Sequence, residues 1–325
     1  MHIHKPTSKF IPLFDNRHIQ TILGLIAKGP RPPDSYKNKR ILINIKEGKL
    51  AIDCTFQKKK NSPTLLIIHG LTGSSNSAYV ERMSRHAYTD GFNIIRMNMR
   101  GCGNTANLTP SIYNAGQSSD LQAVISYLIK NKHNNISIVS YSLGGNLALK
   151  WAGEYISPKQ VFSLTAISPA IDLEEAGKAS EKTENWLYKL KILLSLKSLI
   201  KQKHIHLPNL YDLTPLSDIS SVKDFDSIYQ TKNTGYMSIR DYYDRASAIK
   251  YIKNIHIPTL IITSKDDPLV PVNSFYNKDI RKNKHINLII TNHGGHAGFL
   301  GKSKKERYWS DLKTLEFIQH NIIHN

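Results

Sequence analysis

A series of short, continuous apolar runs, separated by segments with helical patterning, constrains the fold of this chain most strongly. Continuous apolarity is typical of strands that are buried on both faces of a sheet. Strands of this kind that alternate with helices predict an α/β fold, in which a mostly parallel, twisted sheet carries helices on both faces. The predicted strands are residues 64–68, 92–97, 136–139, 161–167, 259–263 and 286–291.

Other patterns complete the predicted secondary structure. Residues 40–46 and 49–57 favour two strands joined by a tight turn at Glu47-Gly48, which predicts a hairpin before the parallel strands. Apolar residues at helical spacing predict further elements in the intervals. The predicted helices are residues 77–89, 118–130, 143–155, 272–281 and 304–320.

The lengths of the intervals predict the domain organisation. Residues 1–39 are rich in proline and predict an irregular segment packed on the body. Residues 40–169 and 258–325 form the predicted core, and the long interval 170–257 predicts a helical insertion, because a structureless loop of that length is improbable. Its most apolar part, residues 186–203, predicts a helix packed on the body with its lysines reaching solvent, although contact with a membrane surface is an alternative.

The charge of the chain requires an explanation. Lys and Arg number 44 against 25 Asp and Glu, a formal net charge of +19. Such a charge would favour binding to nucleic acid, to an anionic membrane or to an acidic partner. The lysines are scattered, however, and no basic stripe with interleaved aromatic residues is present. We therefore expect no nucleic-acid partner and at most weak contact with an anionic membrane surface.

The sequence does not predict a cofactor, a metal or a membrane span. Two cysteines, Cys54 and Cys102, are too few for a disulfide framework or a cysteine zinc site. The pairs His2-Ile-His4 and His204-Ile-His206 lack a third ligand at a useful spacing. The N-terminus lacks the apolar run of a signal peptide, and no segment approaches the roughly 20 apolar residues of a transmembrane helix. We expect a cytoplasmic protein, peripheral at the inner membrane face if it meets a membrane at all.

The clearest candidate for chemistry is Ser140-Tyr-Ser142-Leu143-Gly144, which follows a predicted strand and opens a predicted helix. This is the context of a nucleophile elbow, where small residues two before and two after the nucleophile permit a sharp turn. Ser140 stands where the pattern has glycine. Ser142 is the candidate nucleophile, and the N–H of Leu143 is a candidate oxyanion donor. The alternative is an ordinary glycine-containing helix start.

A second glycine-rich loop, His69-Gly70-Leu71-Thr72-Gly73, follows the predicted strand 64–68. A loop in this position can supply the other oxyanion donor, here the backbone N–H of Leu71. His69 would then have a structural role. The alternative is a turn without a role in chemistry.

The candidate acid and base follow the last two predicted strands. Asp267 is favoured as the acid because it is followed by Pro-Leu-Val-Pro, while the adjacent Asp266 stays as an alternative. His296 is favoured as the base because glycines on both sides let its loop approach the nucleophile, and His293 is the alternative. The chain order Ser, Asp, His, with each residue after the end of a predicted strand, is the order of a hydrolase triad.

These motifs resemble those of the α/β-hydrolase superfamily, and more narrowly the YheT-like hydrolases, a bacterial group related to eukaryotic esterases and lipases. The resemblance extends from Phe10 to the last predicted helix. The matching segments are Phe10-Ile-Pro-Leu-Phe-Asp-Asn16-Arg-His18-Ile-Gln20-Thr21, His69-Gly-Leu-Thr-Gly-Ser-Ser75, Met99-Arg100-Gly101-Cys102-Gly103, Tyr113-Asn-Ala-Gly116-Gln-Ser-Ser-Asp120-Leu, Ser142-Leu-Gly-Gly-Asn146, Gly235-Tyr-Met-Ser-Ile-Arg-Asp241-Tyr242-Tyr243, Asp266-Asp-Pro and Gly294-Gly-His-Ala-Gly-Phe299.

The resemblance implies a Ser142-His296-Asp267 triad, hydrolysis of acyl esters without a cofactor, and an insertion that forms a cap over the acyl pocket. Ser140 departs from the family's usual glycine and Thr72 from its frequent acidic residue. The leading hypothesis is a serine hydrolase that cleaves small-molecule or lipid acyl esters through an acyl-enzyme, and the same triad would also serve thioesters and amides. Alternatives are a membrane-associated lipase or phospholipase and a non-catalytic basic binding protein. A complete set of triad residues disfavours an inactive scaffold.

Overall fold

The computed structural model describes residues 9–231 and 234–323, and its centre is an eight-stranded sheet. The strand order is β1-β2-β4-β3-β5-β6-β7-β8, in which β2 is antiparallel to both β1 and β4 and all later neighbours are parallel. This confirms the predicted mostly parallel α/β fold. The strands are β1 (Lys39–Ile45), β2 (Gly48–Thr55), β3 (Thr64–Ile68), β4 (Asn93–Met97), β5 (Ile136–Tyr141), β6 (Val161–Ile167), β7 (Thr259–Ser264) and β8 (Ile286–Thr291).

Helices cover both faces of this sheet and fill the long interval between β6 and β7. Two separate groups of buried apolar side chains, one containing Leu66 and the other Leu65, form the core, as the alternation of side chains along β3 requires. The helices are α1 (Arg17–Ile26), α2 (Ala78–Thr89), α3 (Ser118–Lys130), α4 (Ser142–Glu154), α5 (Leu173–Ser180), α6 (Trp186–His206), α7 (Val222–Phe225), α8 (Ile239–Ala246), α9 (Lys278–Lys282) and α10 (Trp309–Ile323).

The N-terminal segment is not irregular throughout, so this part of the prediction is wrong. Helix α1 begins after Asn16, whose side chain accepts hydrogen bonds from the N–H groups of His18 and Ile19. Gly24 lets α1 approach the loop after β8, because a Cβ at that position would lie 2.3 Å from the Cα of Gly298. The prolines that suggested an irregular segment follow the helix.

The interval between β6 and β7 is helical, and α6 packs on the body through Leu193, Leu196, Leu199 and Ile200. One of its lysines does not reach solvent as predicted. Lys203 is fully buried, and its ammonium group donates a hydrogen bond to the carbonyl oxygen of Thr109 at 2.5 Å. Burial lowers the pKa of Lys203 to about 8. The backbone acceptor explains why a lysine at an apolar helical position could remain inside.

Two predicted helices have different bounds in the structure. The predicted helix 272–281 is split into a 3₁₀ turn, Val272–Tyr276, and α9, with Asn277 capping the second part. The last helix begins at Trp309, because a β-bridge between Leu300 and Tyr308 holds the preceding residues. No helix within residues 9–231 and 234–323 is both long and apolar enough to cross a membrane.

Candidate active site

Ser142 lies at a sharp turn between β5 and α4. Its φ of +51° is in the left-handed region that non-glycine residues rarely adopt, as expected of a strained nucleophile elbow. Gly144 is required two residues later, because a Cβ there would lie 2.2 Å from the carbonyl oxygen of His69. Ser140 is accommodated on the other side, where its hydroxyl donates to the carbonyl oxygen of Thr165 at 3.1 Å. The hydroxyl of Ser140 therefore has a hydrogen-bond partner, which explains why serine can stand where the family usually has glycine.

The structure brings Ser142, His296 and Asp267 together in one line of hydrogen bonds. The Nε2 atom of His296 lies 2.9 Å from Ser142 Oγ. On the other side of the ring, Nδ1 lies 2.9 and 3.1 Å from the two carboxylate oxygens of Asp267. Asp267 also accepts hydrogen bonds from the N–H groups of Leu269 and Val270, which fix its carboxylate. The arrangement can remove a proton from Ser142 and hold the resulting imidazolium.

The two alternative residues lie beside this line of contacts and are not part of it. Asp266 accepts a hydrogen bond from the N–H of Gly295 at 2.9 Å. His293 is 3.5 Å from the Asp266 carboxylate and is more exposed than His296. This second pair therefore supports the loop that carries His296.

The His69 loop lies directly against the Ser142 elbow. A Cβ on Gly70 would be only 3.0 Å from the Cβ of Ser142, so glycine allows the close approach. Leu71, next in the loop, and Leu143, in the first turn of α4, both line the cavity above Ser142. N–H groups in the first turn of a helix have no partner within the helix, which leaves Leu143 able to donate.

His69 is buried and held by two backbone groups. Its Nδ1 lies 2.8 Å from the carbonyl oxygen of Gly70, and its Nε2 accepts a hydrogen bond from the N–H of Met99. Burial lowers the pKa of His69 to about 4, which keeps the ring neutral. Both ring nitrogens are occupied, in agreement with the structural role expected from the sequence.

Two hydroxyl groups that were not predicted hold the loop of His296. The backbone N–H of His296 donates to the hydroxyl of Thr21 in α1 at 2.8 Å. The N–H of the next residue, Ala297, donates to Ser168 Oγ after β6. Thr21 stands in one of the motifs that carry the family resemblance, but only the fold reveals its contact across 275 residues of chain.

Asn146 also has a role that was not predicted. Its amide group donates to the carbonyl oxygens of Ala115 and Ala246, and its oxygen accepts from the N–H of Ala248. These bonds join α4, which follows Ser142, to the end of the helical interval. The hydroxyl of Tyr242 adds a link by accepting from the N–H of Ala115 at 3.1 Å.

A cavity of about 460 Å³ lies above Ser142. Helix α1 contributes Leu25 and Ile26 to its lining, and α6 contributes Tyr188 and Ile192. Most of the lining is apolar, which suits a hydrocarbon chain better than a charged substrate. Thr72, the second departure from the family pattern, has a φ of +58° and also lines the cavity.

Within the described ranges, no cluster of three or more His, Cys, Asp or Glu residues has the geometry of a metal site. Nδ1 of His204 lies 2.7 Å from the carbonyl oxygen of Tyr211. The predicted isolated pair at His2 and His4 lies outside the described residues. Cys54 and Cys102 are both buried as free thiols.

Comparisons with known proteins show which family has this fold. The family model described as alpha/beta hydrolase fold matches residues 63–303. The chain is 28% identical to the YheT protein of Escherichia coli K12, over 91% of this chain and 88% of that protein. It is 26% identical to human phospholipase ABHD3, over 90% of this chain and 74% of that protein. Its fold is similar to that of the esterase Pf2001 of Pyrococcus furiosus, with a TM-score of 0.59, 18% identity, and 90% of this chain and 97% of that chain covered.

The family match spans well over half of the chain and includes the segments that carry Ser142, Asp267 and His296. The similarity to YheT confirms the narrower resemblance seen in the sequence motifs. This chain belongs to the α/β-hydrolase fold family.

Proposed function

We propose that this α/β hydrolase is a serine hydrolase that cleaves carboxylic acyl esters with Ser142, His296 and Asp267. The observation that carries the proposal is the 2.9 Å contact between His296 Nε2 and Ser142 Oγ, with Asp267 on the other ring nitrogen. Asp267 holds the tautomer in which Nδ1 is protonated, so that Nε2 is free to act as the base.

The reaction proceeds in two stages. As Ser142 Oγ attacks the carbonyl carbon, its proton moves to His296 Nε2, and the N–H groups of Leu71 and Leu143 stabilise the oxyanion. His296 then gives this proton to the leaving alkoxide, and the alcohol departs from the acyl-enzyme. In the second stage, water attacks the acyl group while His296 takes its proton, and the carboxylic acid leaves as Ser142 recovers its hydrogen.

The substrate class follows from the cavity. Its mainly apolar lining favours an uncharged acyl chain over an ionic substrate. The names of ABHD3, a phospholipase, and Pf2001, an esterase, support an acyl ester. Residues 170–257 act as the cap in this proposal, because α5, α6 and α8 place side chains in the cavity lining.

The test is labelling with a fluorophosphonate probe together with hydrolysis of p-nitrophenyl esters of increasing chain length. The wild type should be labelled and active, and Ser142→Ala should lose both properties. Ser198→Ala, which removes a hydroxyl from the exposed side of α6, is the matched control and should retain both. Labelling or hydrolysis that survives in Ser142→Ala would overturn the proposal.

A second candidate is that the enzyme acts on lipid esters while bound to an anionic membrane surface. The observation that favours it is a set of exposed apolar side chains on α1 and α6, two of the helices that line the cavity. This set, the apolar rim, consists of Ile19, Ile22 and Ile26 of α1 and Trp186, Leu187, Leu190 and Leu194 of α6. His18 of α1 stacks on Tyr188 of α6, with ring centroids 5.7 Å apart, so the two helices are neighbours.

The charges near the apolar rim are consistent with an anionic surface. Lys191 and Lys201 of α6 are exposed, and the chain as a whole carries a large positive charge. Apolar side chains between lysines suit the boundary between lipid headgroups and acyl chains. The proposal requires co-sedimentation with anionic vesicles, and equal recovery with neutral vesicles would remove its electrostatic part.

A further inference from the structure

One wall of the cavity is polar, and the hydrolysis reaction described above does not use it. Its two members are Asp226 and Gln230, the first and last residues of a π-helical turn after α7. Both side chains line the cavity although they are only 9% and 3% exposed. Single π-helical turns occur frequently at functional sites.

Asp226 is a buried carboxyl group without a counter-ion. Its Oδ2 atom accepts a hydrogen bond from the hydroxyl of Tyr243 at 3.0 Å. Among residues 9–231 and 234–323, no Lys, Arg or His side chain forms an ion pair with it. Burial raises the pKa of Asp226 to about 7. Burial of such a group costs stability, and perturbed carboxyl groups in clefts are often functional.

Gln230 holds the other end of this turn in place. Its amide nitrogen donates to the carbonyl oxygen of Tyr113 at 2.9 Å, which fixes the orientation of the side chain. Its Oε1 atom is fully buried, so a ligand in the cavity cannot reach it. The carboxylate of Asp226, whose Oδ1 atom makes no hydrogen bond within the described residues, is the acceptor that remains for a ligand.

We propose that Asp226 forms a hydrogen-bonding subsite that binds a hydroxyl group of the substrate. Its carboxylate oxygen is an acceptor, so the group that it recognises is a donor, and the mainly apolar lining of the cavity favours an uncharged donor. The inference rests on the proposed ester hydrolysis and narrows its substrates to hydroxylated esters. The hydroxyl can belong to the alcohol part or to the acyl part of the ester.

The experiment compares esters that differ only in hydroxyl groups. Propyl butyrate and glyceryl monobutyrate test the alcohol part, while p-nitrophenyl butyrate and p-nitrophenyl β-hydroxybutyrate test the acyl part. For each pair, the ratio of kcat/KM for the hydroxylated ester to that for its hydroxyl-free counterpart is measured by titration of released acid. In the wild type we expect a ratio of at least about ten in one pair, as one or two buried hydrogen bonds allow.

The variants assign that ratio to the subsite. Asp226→Leu and Asp226→Ala should each lower it to near one, while Asp226→Asn, which keeps an oxygen acceptor, should retain most of it. Gln202→Leu makes a comparable change from a polar to an apolar side chain on the exposed side of α6 and should leave the ratio unchanged. Two substitutions that remove the carboxylate keep the test decisive if one variant fails to fold.

Failure of the subsite is distinguishable from failure of the proposed function. Hydrolysis that requires Ser142, combined with ratios that do not change in Asp226→Leu and Asp226→Ala, would overturn the subsite and leave the esterase proposal intact. Hydrolysis of all four esters that persists in Ser142→Ala would overturn the esterase proposal itself.

Discussion

At the scale of single residues, the site depends on small side chains that permit close contact. Gly70 and Gly144 let the His69 loop and the elbow of Ser142 touch, at distances that a Cβ could not share. The strain at Ser142 is held by this packing, because a residue with positive φ persists only where its surroundings determine it. The same close packing would direct the N–H groups of Leu71 and Leu143 towards one oxyanion.

The adjacent carboxylates Asp266 and Asp267 allow a matched test of the proposed triad. Asp267→Asn should lower kcat by about 10³- to 10⁴-fold, because an amide at this position disfavours the tautomer with a proton on Nδ1. Asp266→Asn should cost less than about tenfold, because Asp266 holds only the N–H of Gly295 and the side chain of His293. Kinetics with a p-nitrophenyl ester check both variants, and a larger loss in Asp266→Asn would reverse the assignment.

Thr21 is a positioning residue for His296, and its substitution should affect the chemical step. Thr21→Val keeps the shape of the side chain but leaves the N–H of His296 without its acceptor. We expect kcat to fall about tenfold with little change in KM, since an unpaired buried N–H costs about 1–3 kcal/mol. Thr21→Ser should restore most of the activity.

The control for Thr21 is Thr89 in α2. The hydroxyls of Thr21 and Thr89 each donate to the carbonyl oxygen four residues earlier, at 2.7 and 2.9 Å. Only Thr21 also contacts the histidine loop. Activity in Thr89→Val should therefore match the wild type, and equal losses in both valine variants would contradict a role in positioning.

At the scale of elements, α4 connects the nucleophile to the helical interval. The three hydrogen bonds of Asn146 cross between α4 and segments that lie 31 to 102 residues away. Because Asn146 is completely buried, water cannot replace these partners when they are lost. The junction should therefore contribute to the stability of the whole fold.

This argument predicts that Asn146→Ala lowers the free energy of unfolding by about 3 kcal/mol. Urea denaturation measures the change through the midpoint and slope of the transition. Asn131→Ala is the matched control, because the Asn131 side chain is exposed and donates only to the carbonyl oxygen of Tyr127. It should cost less than about 1 kcal/mol. Equal losses of unfolding free energy in the two variants would show that the buried hydrogen bonds of Asn146 contribute no more to stability than the exposed one of Asn131.

The success of sequence-based prediction also differed between elements. Strands β3 and β6 begin and end where the apolar runs do, because burial on both faces leaves a continuous pattern. Strand β8 also has the predicted bounds, although it is an edge strand whose four central residues are only partly buried. Helix α1 was missed because it is short and followed by prolines, and its stability comes from contacts with residues near position 300. Ser142, Asp267 and His296 could be placed by their strand ends. Thr21, Asn146 and the pair Asp226 and Gln230 could not, because their partners are distant in sequence.

At the scale of the whole molecule, the fold places several acidic side chains inside and leaves most lysines outside. Asp53, Asp120 and Asp311 are buried, and each pairs with an arginine. Arg82, the partner of Asp311, also donates to the carbonyl oxygen of Gly24, so a single buried group joins α1, α2 and α10. Although burial opposes it, pairing with arginine lowers the pKa of Asp53 and Asp311, whereas burial raises that of Asp120. The excess of +19 falls mostly on surface lysines.

If that surface charge and the apolar rim act together, vesicle binding should require both. We predict that a Leu190→Asp, Leu194→Asp double variant loses at least about tenfold in affinity for anionic vesicles, because burial of each leucine contributes about 1.5–3 kcal/mol. The two leucines are 47% and 60% exposed, so the change should leave the thermal stability intact. Raising the salt concentration from about 0.05 to 0.5 M should weaken wild-type binding by screening the lysines.

The control for this prediction introduces the same charges elsewhere. Ile156 and Met237 are 98% and 90% exposed and do not line the cavity, so Ile156→Asp, Met237→Asp matches the change in net charge. Co-sedimentation should then separate the two double variants, since only the first removes apolar contact beside the cavity. Equal losses would mean that net charge alone governs binding, and the apolar rim would have no part in bringing the enzyme to lipid.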